Sequence, residues 1–412
     1  MNKRRIVITG LGAVTSLGCD VDQIWQNLLD KKSGITKITK FDASKFASQI
    51  AGEVKNFDPS IYVNKMDLRR LDLFSQYAIF AAEKAMRNSN IELSREDLTK
   101  FGTILGSGMG GVTEIAKSED IIRTKGPRRI SPFFVPKIMI NAISAQISMR
   151  FGLKGPSFVT AAACSSSGIA IEQAYKAIKY EEADIMITGG SEAVIIPLSI
   201  AGFCSARALS KRNDSPQTAS RPFDKERDGF VIGEGSGILV LEEFERAKKR
   251  GANIYGELKG VASNSDAYHI TQPSQDAEGV INCMKAALKN AKIDPQQITY
   301  INAHGTSTAQ NDKIETLAIK KVFDKYAYNI PISSTKSMIG HSLGATSAIE
   351  AIVTVLSIYK NQIHSTANYE NFDEECDLDY VPKEAREIKN NYALSNSFAF
   401  GGHNVTLVFG KI

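Results

Sequence analysis

The sequence predicts an α/β protein with buried, largely parallel strands, and three observations carry that expectation. Short apolar runs alternate along the chain with segments whose apolar residues recur at helical spacing. At 412 residues and 43% hydrophobic content, the chain is long enough to bury one large core or two fused ones. No low-complexity tract divides it. Strands are expected at 5–9, 102–105, 185–188, 237–241, 298–301 and 405–408. Helical spacing marks 74–87, 168–180, 275–291 and 345–359.

Composition excludes several classes. Fifty basic against 45 acidic side chains is too even a balance for nucleic acid to be the main partner. The five cysteines, Cys19, Cys164, Cys204, Cys283 and Cys376, are odd in number and include no C-x-x-C pair, which disfavours a disulfide framework and a zinc site. The opening MNKRRIVITGLGAVTSLGC imitates a signal peptide with a lipid-attachment cysteine. Thr9, Gly10, Gly12, Thr15 and Ser16 interrupt its apolar run, and Ser16 stands where a lipobox wants an aliphatic residue. A buried strand over 6–9 running into a glycine turn is the better reading. No later stretch offers the roughly 20 uninterrupted apolar residues of a membrane span, so no membrane and a cytoplasmic location are expected.

The chain also carries a trace of internal duplication. SFVTAAACSSSGIAIEQAYKAI (157–178) aligns with SSTKSMIGHSLGATSAIEAIVTVLSI (333–358) so that Ile171-Glu172 meets Ile349-Glu350 and Cys164 falls beside His341. FGTILGSGMGG (101–111) and TYINAHGTS (299–307) share a strand-to-glycine-turn profile. The halves would be 1–251 and 252–412, meeting near Gly251.

Cys164 lies among small residues just before a helix, where free backbone N–H groups and the positive end of the dipole favour thiolate. A lone thiol of this kind is more often structural. Two histidines in glycine-bounded loops change the balance: His304 in NAHGTST and His341 in MIGHSLGA. Lys336 adds a fixed positive charge able to orient groups or hold a carboxylate, and Glu350 is a candidate partner. Gly106 to Gly111 satisfies G-x-G-x-x-G after a strand. No second strand ending in an acidic residue follows at the right distance, so dinucleotide binding is set aside.

Four segments in register, TAAACSSSG, NAHGTST, STKSMIGHSLGA and NSFAFGGHN, resemble those of the β-ketoacyl-[acyl-carrier-protein] synthases, most like class II, in the thiolase superfamily. The resemblance covers essentially the whole chain. It implies a duplicated thiolase fold, a five-layered αβαβα sandwich, assembled as a homodimer. It implies that Cys164 takes an acyl group from a carrier thioester, and that His304 and His341 stabilise the enolate formed as malonyl-carrier loses carbon dioxide. Lys336 and Phe400 complete the implied catalytic set, with the amides of Cys164 and Phe400 as oxyanion donors. No metal or organic cofactor is required.

The same resemblance places Thr306, Thr308 and Thr271 on the phosphopantetheine arm and Met109 and Phe398 among the substrate-binding residues, Met109 limiting the acyl pocket. Asp312, Glu315 and Glu350 would form a polar network around the histidines. Carrier proteins are acidic, so Lys65, Arg69, Arg70, Arg128, Arg129 and Arg207 are expected to form the docking face for acyl- and malonyl-carrier. The sequence departs from the family pattern at Ala309-Gln310, at Ser347 in GATS, and at His403 beside the gate; these departures bear on substrate range. A thiolase would need a second catalytic cysteine near the C-terminus, and Cys376 precedes the gate loop. A chain-length factor typically loses the nucleophile, which is present here. A polyketide or specialised-lipid ketosynthase would use the same chemistry.

Overall fold

Continuous apolar runs that are polar on neither face need cover from both sides, and the fold supplies it with helices above and below two five-stranded sheets. The computed structural model describes residues 4–412. In the first sheet the strands lie in the order Ser157–Thr160, Phe101–Gly106, Ile185–Glu192, Gly235–Glu243 and Ile6–Val14. In the second the order is Ile332–Ser333, Tyr300–Asn302, Tyr392–Ala399, His403–Gly410 and Gly256–Ser265. The two meet edge to edge where Val7 and Ile8 pair with Glu257 and Gly256, joining them into one ten-stranded sheet.

Two helices fill the angle between the sheets. Ser166–Lys179 packs on Phe101–Gly106 and Ile185–Glu192, while Thr346–Lys360 packs on Tyr392–Ala399, His403–Gly410 and Gly235–Glu243. They touch each other, and their apolar residues, Ala170, Ile171 and Ile178 with Ala348, Ile349 and Ile352, belong to one core shared by both halves. Leu73–Ser89 and Ala142–Phe151 cover the outer face of the first sheet, and Glu278–Ala291 with Ala309–Phe323 that of the second. The result is the five-layered αβαβα sandwich. Leu343–Lys360 is long and apolar enough to cross a membrane, but 89% of it is buried within the fold, as befits a central helix.

Three expectations are corrected. The sheet is mixed rather than largely parallel: Gly235–Glu243 runs antiparallel to both Ile185–Glu192 and Ile6–Val14, and Gly256–Ser265 is antiparallel to His403–Gly410. Burial on both faces makes a central antiparallel strand as uniformly apolar as a parallel one, so composition cannot give its direction. The first strand does not end in a glycine turn at Gly10 but runs on to Val14. Gly10 and Gly12 are there because a Cβ would collide with the carbonyl oxygens of Ala85 and Ala81 on the covering helix. The repeat is also two residues out of the register read from sequence. The turns Ala163–Ser165 and Leu343–Ala345 lead into helices starting at Ser166 and Thr346, which sets Cys164 against Gly344 rather than beside His341.

Candidate active site

The two helix-entry turns meet back to back at the centre of the molecule. In the first, Ala163 takes a left-handed φ of 46°, which turns Cys164 to face a cavity of about 610 Å3. Ser347 of the second central helix donates to the Cys164 carbonyl at 3.0 Å, and Ser165 donates to the His403 carbonyl at 2.8 Å, so elements of both halves hold the cysteine backbone. Ser347, one of the departures from the family pattern, therefore has a concrete contact.

His341 reaches the same point from the other turn. Its amide donates to the Val231 carbonyl at 2.7 Å and its carbonyl accepts from Gly233 at 2.8 Å, pinning its backbone to a short extended segment. Its Nε2 lies 3.0 Å from Cys164 Sγ. Its Nδ1 accepts from the Leu343 amide at 3.3 Å, so the ring proton sits on Nε2, facing the sulfur. The ring packs edge-on against Phe230, 5.2 Å between centroids.

His304 completes the group, its ring 5.5 Å from that of His341 and 6.0 Å from Phe398. Glu315 anchors its backbone, accepting from the amides of His304 and Gly305, both at 2.8 Å. Lys336 donates to the His304 carbonyl at 2.6 Å and to Glu350 at 2.5 Å. Lys336 and Glu350 are thus a buried ion pair rather than a solvated one, and they stand behind the histidines instead of lining the cavity. Asp312 accepts from the amides of Thr306 at 3.0 Å and Phe223 at 2.7 Å. The three acids brace the loop that presents His304.

Burial dominates the electrostatics. It drives both imidazoles well below their ordinary value, and the Lys336 ammonium adds to that, so both rings are neutral near pH 7. Burial pushes the Cys164 thiol up to about 12, while Lys336 and the Phe400 and Cys164 amides pull it down. The helix-end effect expected from sequence is therefore outweighed, and Cys164 rests as a neutral thiol. Glu350 and Glu315 are both raised to about 7 by burial, opposed by Lys336 and by the His304-Gly305 amides respectively.

Cys164, His304 and His341 bring their donor atoms within 4.8 Å of one another, a spacing that could hold a metal ion. The tautomer of His341 argues against it: the Nε2 that faces Cys164 carries a proton and has no lone pair to offer.

The cavity wall includes Met109, Thr271, Thr306, Thr308, Phe398, Phe400 and Arg207. The hydroxyls of Thr306 and Thr308 are 2.9 Å apart. Phe400 is 38% exposed at the wall, and the following Gly401 and Gly402 have φ of 82° and 71°, a pair of left-handed residues that only glycine adopts freely. The other docking candidates lie on the surface. Lys65 belongs to the short helix Lys65–Leu68 capped by Arg69, and Arg128 and Arg129 to the turn Pro127–Arg129. The Arg70 guanidinium sits 5.0 Å over the Phe133 ring, drawing the first cluster toward the second. Of this basic set, only Arg207 lines the chain's own cavity.

Residues 3–247 match the Beta-ketoacyl synthase, N-terminal domain, and residues 255–370 match the Beta-ketoacyl synthase, C-terminal domain. The chain belongs to the β-ketoacyl synthase family. Over its whole length it is 49% identical to the full-length 3-oxoacyl-[acyl-carrier-protein] synthase 2 of Coxiella burnetii. It is 48% identical to the Synechocystis enzyme of the same name, covering 100% of this chain and 99% of the relative. Among solved structures, the ketosynthase of AntDE:AntF, a type II polyketide ketosynthase bound to its acyl-carrier protein, superposes with a TM-score of 0.91 at 37% identity, each chain fully covered. A β-ketoacyl synthase from Burkholderia phymatum gives 0.92 at 34%, covering 99% of this chain and 100% of the other.

Sequence reading passed over Glu192, which lies behind the cavity wall and accepts from the amide of the lining residue Met109 at 3.1 Å. It ends a buried strand with no exposure, where a carboxylate is costly. A glutamate in the run ITGGSEAV was the available signal.

Proposed function

We propose that the chain is a β-ketoacyl-[acyl-carrier-protein] synthase of fatty-acid elongation. It condenses an acyl group with malonyl-carrier to give 3-oxoacyl-carrier, carbon dioxide and free carrier. The full-length relatives of that name support the activity, and one observation carries the mechanism: His341 Nε2–H points at Cys164 Sγ from 3.0 Å, with a second neutral imidazole beside it at the cavity wall.

In the first half-reaction Cys164 adds to the acyl thioester. A new carbon–sulfur bond forms, the carrier thiolate leaves, and the proton given up by Cys164 ends on it. The Cys164 and Phe400 amides, both directed at the sulfur, are placed to hold the tetrahedral oxyanion. In the second half-reaction malonyl-carrier loses carbon dioxide, and His304 and His341 hydrogen-bond the enolate oxygen. The carbanion attacks the acyl carbon, the carbon–sulfur bond to Cys164 breaks, and the departing thiolate takes up one proton from solvent, the proton that the overall condensation consumes. Neutral imidazoles suit this step, since they donate without protonating the carbanion. Lys336, Glu350, Glu315 and Asp312 position the histidine loop; Thr306, Thr308 and Thr271 receive the pantetheine arm; Met109 and Phe398 border the acyl chain; Phe400 gates it.

The partner is an acidic acyl carrier protein docking on Lys65, Arg69, Arg70, Arg128, Arg129 and Arg207; the exposure of these cations supports the assignment. A homodimer in the cytoplasm belongs to the same proposal. It is supported by the sheet edge Ser157–Thr160, where Phe158 is exposed, and by exposed Phe133, Val135 and Met139 on the same half. The matches to 3–247 and 255–370 support a division into 1–251 and 252–412.

The test is intact mass after incubation with acyl-carriers of graded chain length. Wild type should gain the acyl mass and Cys164→Ala should not. An adduct that survives the substitution would remove Cys164 from the mechanism.

A further inference from the structure

We propose that Glu192 is a positioning residue of the condensing reaction: its carboxylate clamps the turn that makes His341 a donor toward Cys164 and, through the same two oxygens, the Met109 wall of the acyl cavity. This rests on the condensing function proposed above and names a group that the mechanism has not yet used.

Glu192 is completely buried, and among the described residues no cation is paired with it. Four donors replace one. Oε1 accepts from the Ser107 hydroxyl at 3.0 Å and the Met109 amide at 3.1 Å. Oε2 accepts from the Gly108 amide at 2.7 Å and the Gly344 amide at 3.0 Å. Three of these donors belong to the loop after Phe101–Gly106, in the first half, and the fourth to the turn after His341, in the second. A buried carboxylate satisfied only by backbone and hydroxyl donors from two separate loops is costly to build and holds both in one geometry.

The approach is so close that neither loop can carry a side chain there. A Cβ on Gly108 would lie 2.9 Å from Oε2, and one on Gly344 2.5 Å from it. The clamp acts on a strained element: Leu343 has φ of 43°, a left-handed conformation that costs a leucine about 1–3 kcal/mol unless its surroundings enforce it. With Gly344 N–H tied to Glu192, the adjoining Leu343 N–H is aimed at His341 Nδ1, and that bond decides which ring nitrogen carries the proton. On the other side, Met109, whose amide is tied to Oε1, lines the cavity. The second half uses the same device, Glu315 gripping the amides of His304 and Gly305.

Glu192→Gln keeps the shape but turns an NH2 group toward donors that need an acceptor. The readouts are malonyl-carrier decarboxylation without acyl substrate, as kcat and KM, and the range of acyl chain lengths that load onto Cys164 by intact mass, with folding checked by circular dichroism. The expected result for folded Glu192→Gln is a fall of about 10- to 100-fold in decarboxylation kcat, the size of effect that a small displacement produces. KM should be little changed and the chain-length profile broader. Ser107→Ala, which removes one donor from Oε1, should broaden the profile to a lesser degree. Folded Glu192→Gln with wild-type kcat and profile would overturn the proposal. If Glu192→Gln does not fold, a wild-type profile in Ser107→Ala overturns it, and a broadened one supports it. Failure of the wild type itself to load acyl groups or to decarboxylate malonyl-carrier would instead sink the condensing function.

Discussion

The turns Ala163–Ser165 and Leu343–Ala345 share a backbone and carry different chemistry. Each opens on a left-handed non-glycine residue, at φ of 46° and 43°, and each leads into a central helix. The first puts a thiol on the residue after that strained position; the second puts Gly344 there, with no room for a side chain between Glu192 and the Gly108 amide. The imidazole comes instead from His341, two residues before the strained leucine. In the mechanism proposed above, one half holds the acyl group while the other shapes the carbanion; all five histidines lie in the second half. Duplication supplied the geometry twice, and side-chain room divided the labour.

The sharpest way to break this comparison is Cys164→Ala, which should cost at least roughly a thousand-fold in condensation, as removal of a nucleophile does. Its thermal midpoint should stay near that of wild type. A variant that also unfolds would make the first turn as structural as the second. Next in size is Lys336→Met, which leaves Glu350 buried without its cation; urea unfolding should show a loss of about 3–5 kcal/mol. A small loss would mean that the pair is not what braces the histidine loop.

The histidines offer a third test. His364 is fully buried in the second half, and desolvation lowers it from 6.5 to about 4. A folded-state value below the unfolded one gives stability that is complete above pH 6.5 and is lost as pH falls toward 4, a change of roughly 3 kcal/mol. Thermal melts from pH 7.5 to 4.5 should show a slope at least that large, and His364→Asn should reduce it by the His364 share, the remainder coming from His304 and His341, which burial lowers as well. Gly344→Ala comes next, at about 1–3 kcal/mol from overpacking, measured by the same melts; a neutral result would show that the second turn could have accommodated a nucleophile. Smallest is Arg128→Glu with Arg129→Glu, expected to raise KM for carrier-bound substrate about ten-fold through lost charge complementarity. An unchanged KM would move docking off this face.

Much of this site was legible because its groups sit in short glycine-bounded segments whose order survives in the sequence. Cys164, His304 and His341 each stand out from their neighbours, and the structure brings all three to one cavity wall. Lys336 and Glu350 were readable as a pair; that they face away from the cavity was not, since spacing along a chain does not say which side of a histidine a lysine occupies. Strand direction was hidden for a similar reason, because residues 185–192 and 235–243 are equally buried whether parallel or antiparallel. Glu192 was hidden too: its meaning lies in amide groups 84 and 152 residues away, and amides leave no mark in a sequence.

The seam between the sheets is narrow, Val7 and Ile8 against Glu257 and Gly256, yet the reaction centre lies across the division it joins. The two halves also share the core of the central helices, so the cavity, which neither half encloses alone, exists only while seam and core hold both in register. A small shift between the halves would therefore disturb the chemistry before it disturbed the secondary structure of either. Under rising temperature or denaturant, acyl loading should vanish before the helical signal declines, so the enzyme would report its own loss of registration earlier than any spectroscopic measure of its secondary structure.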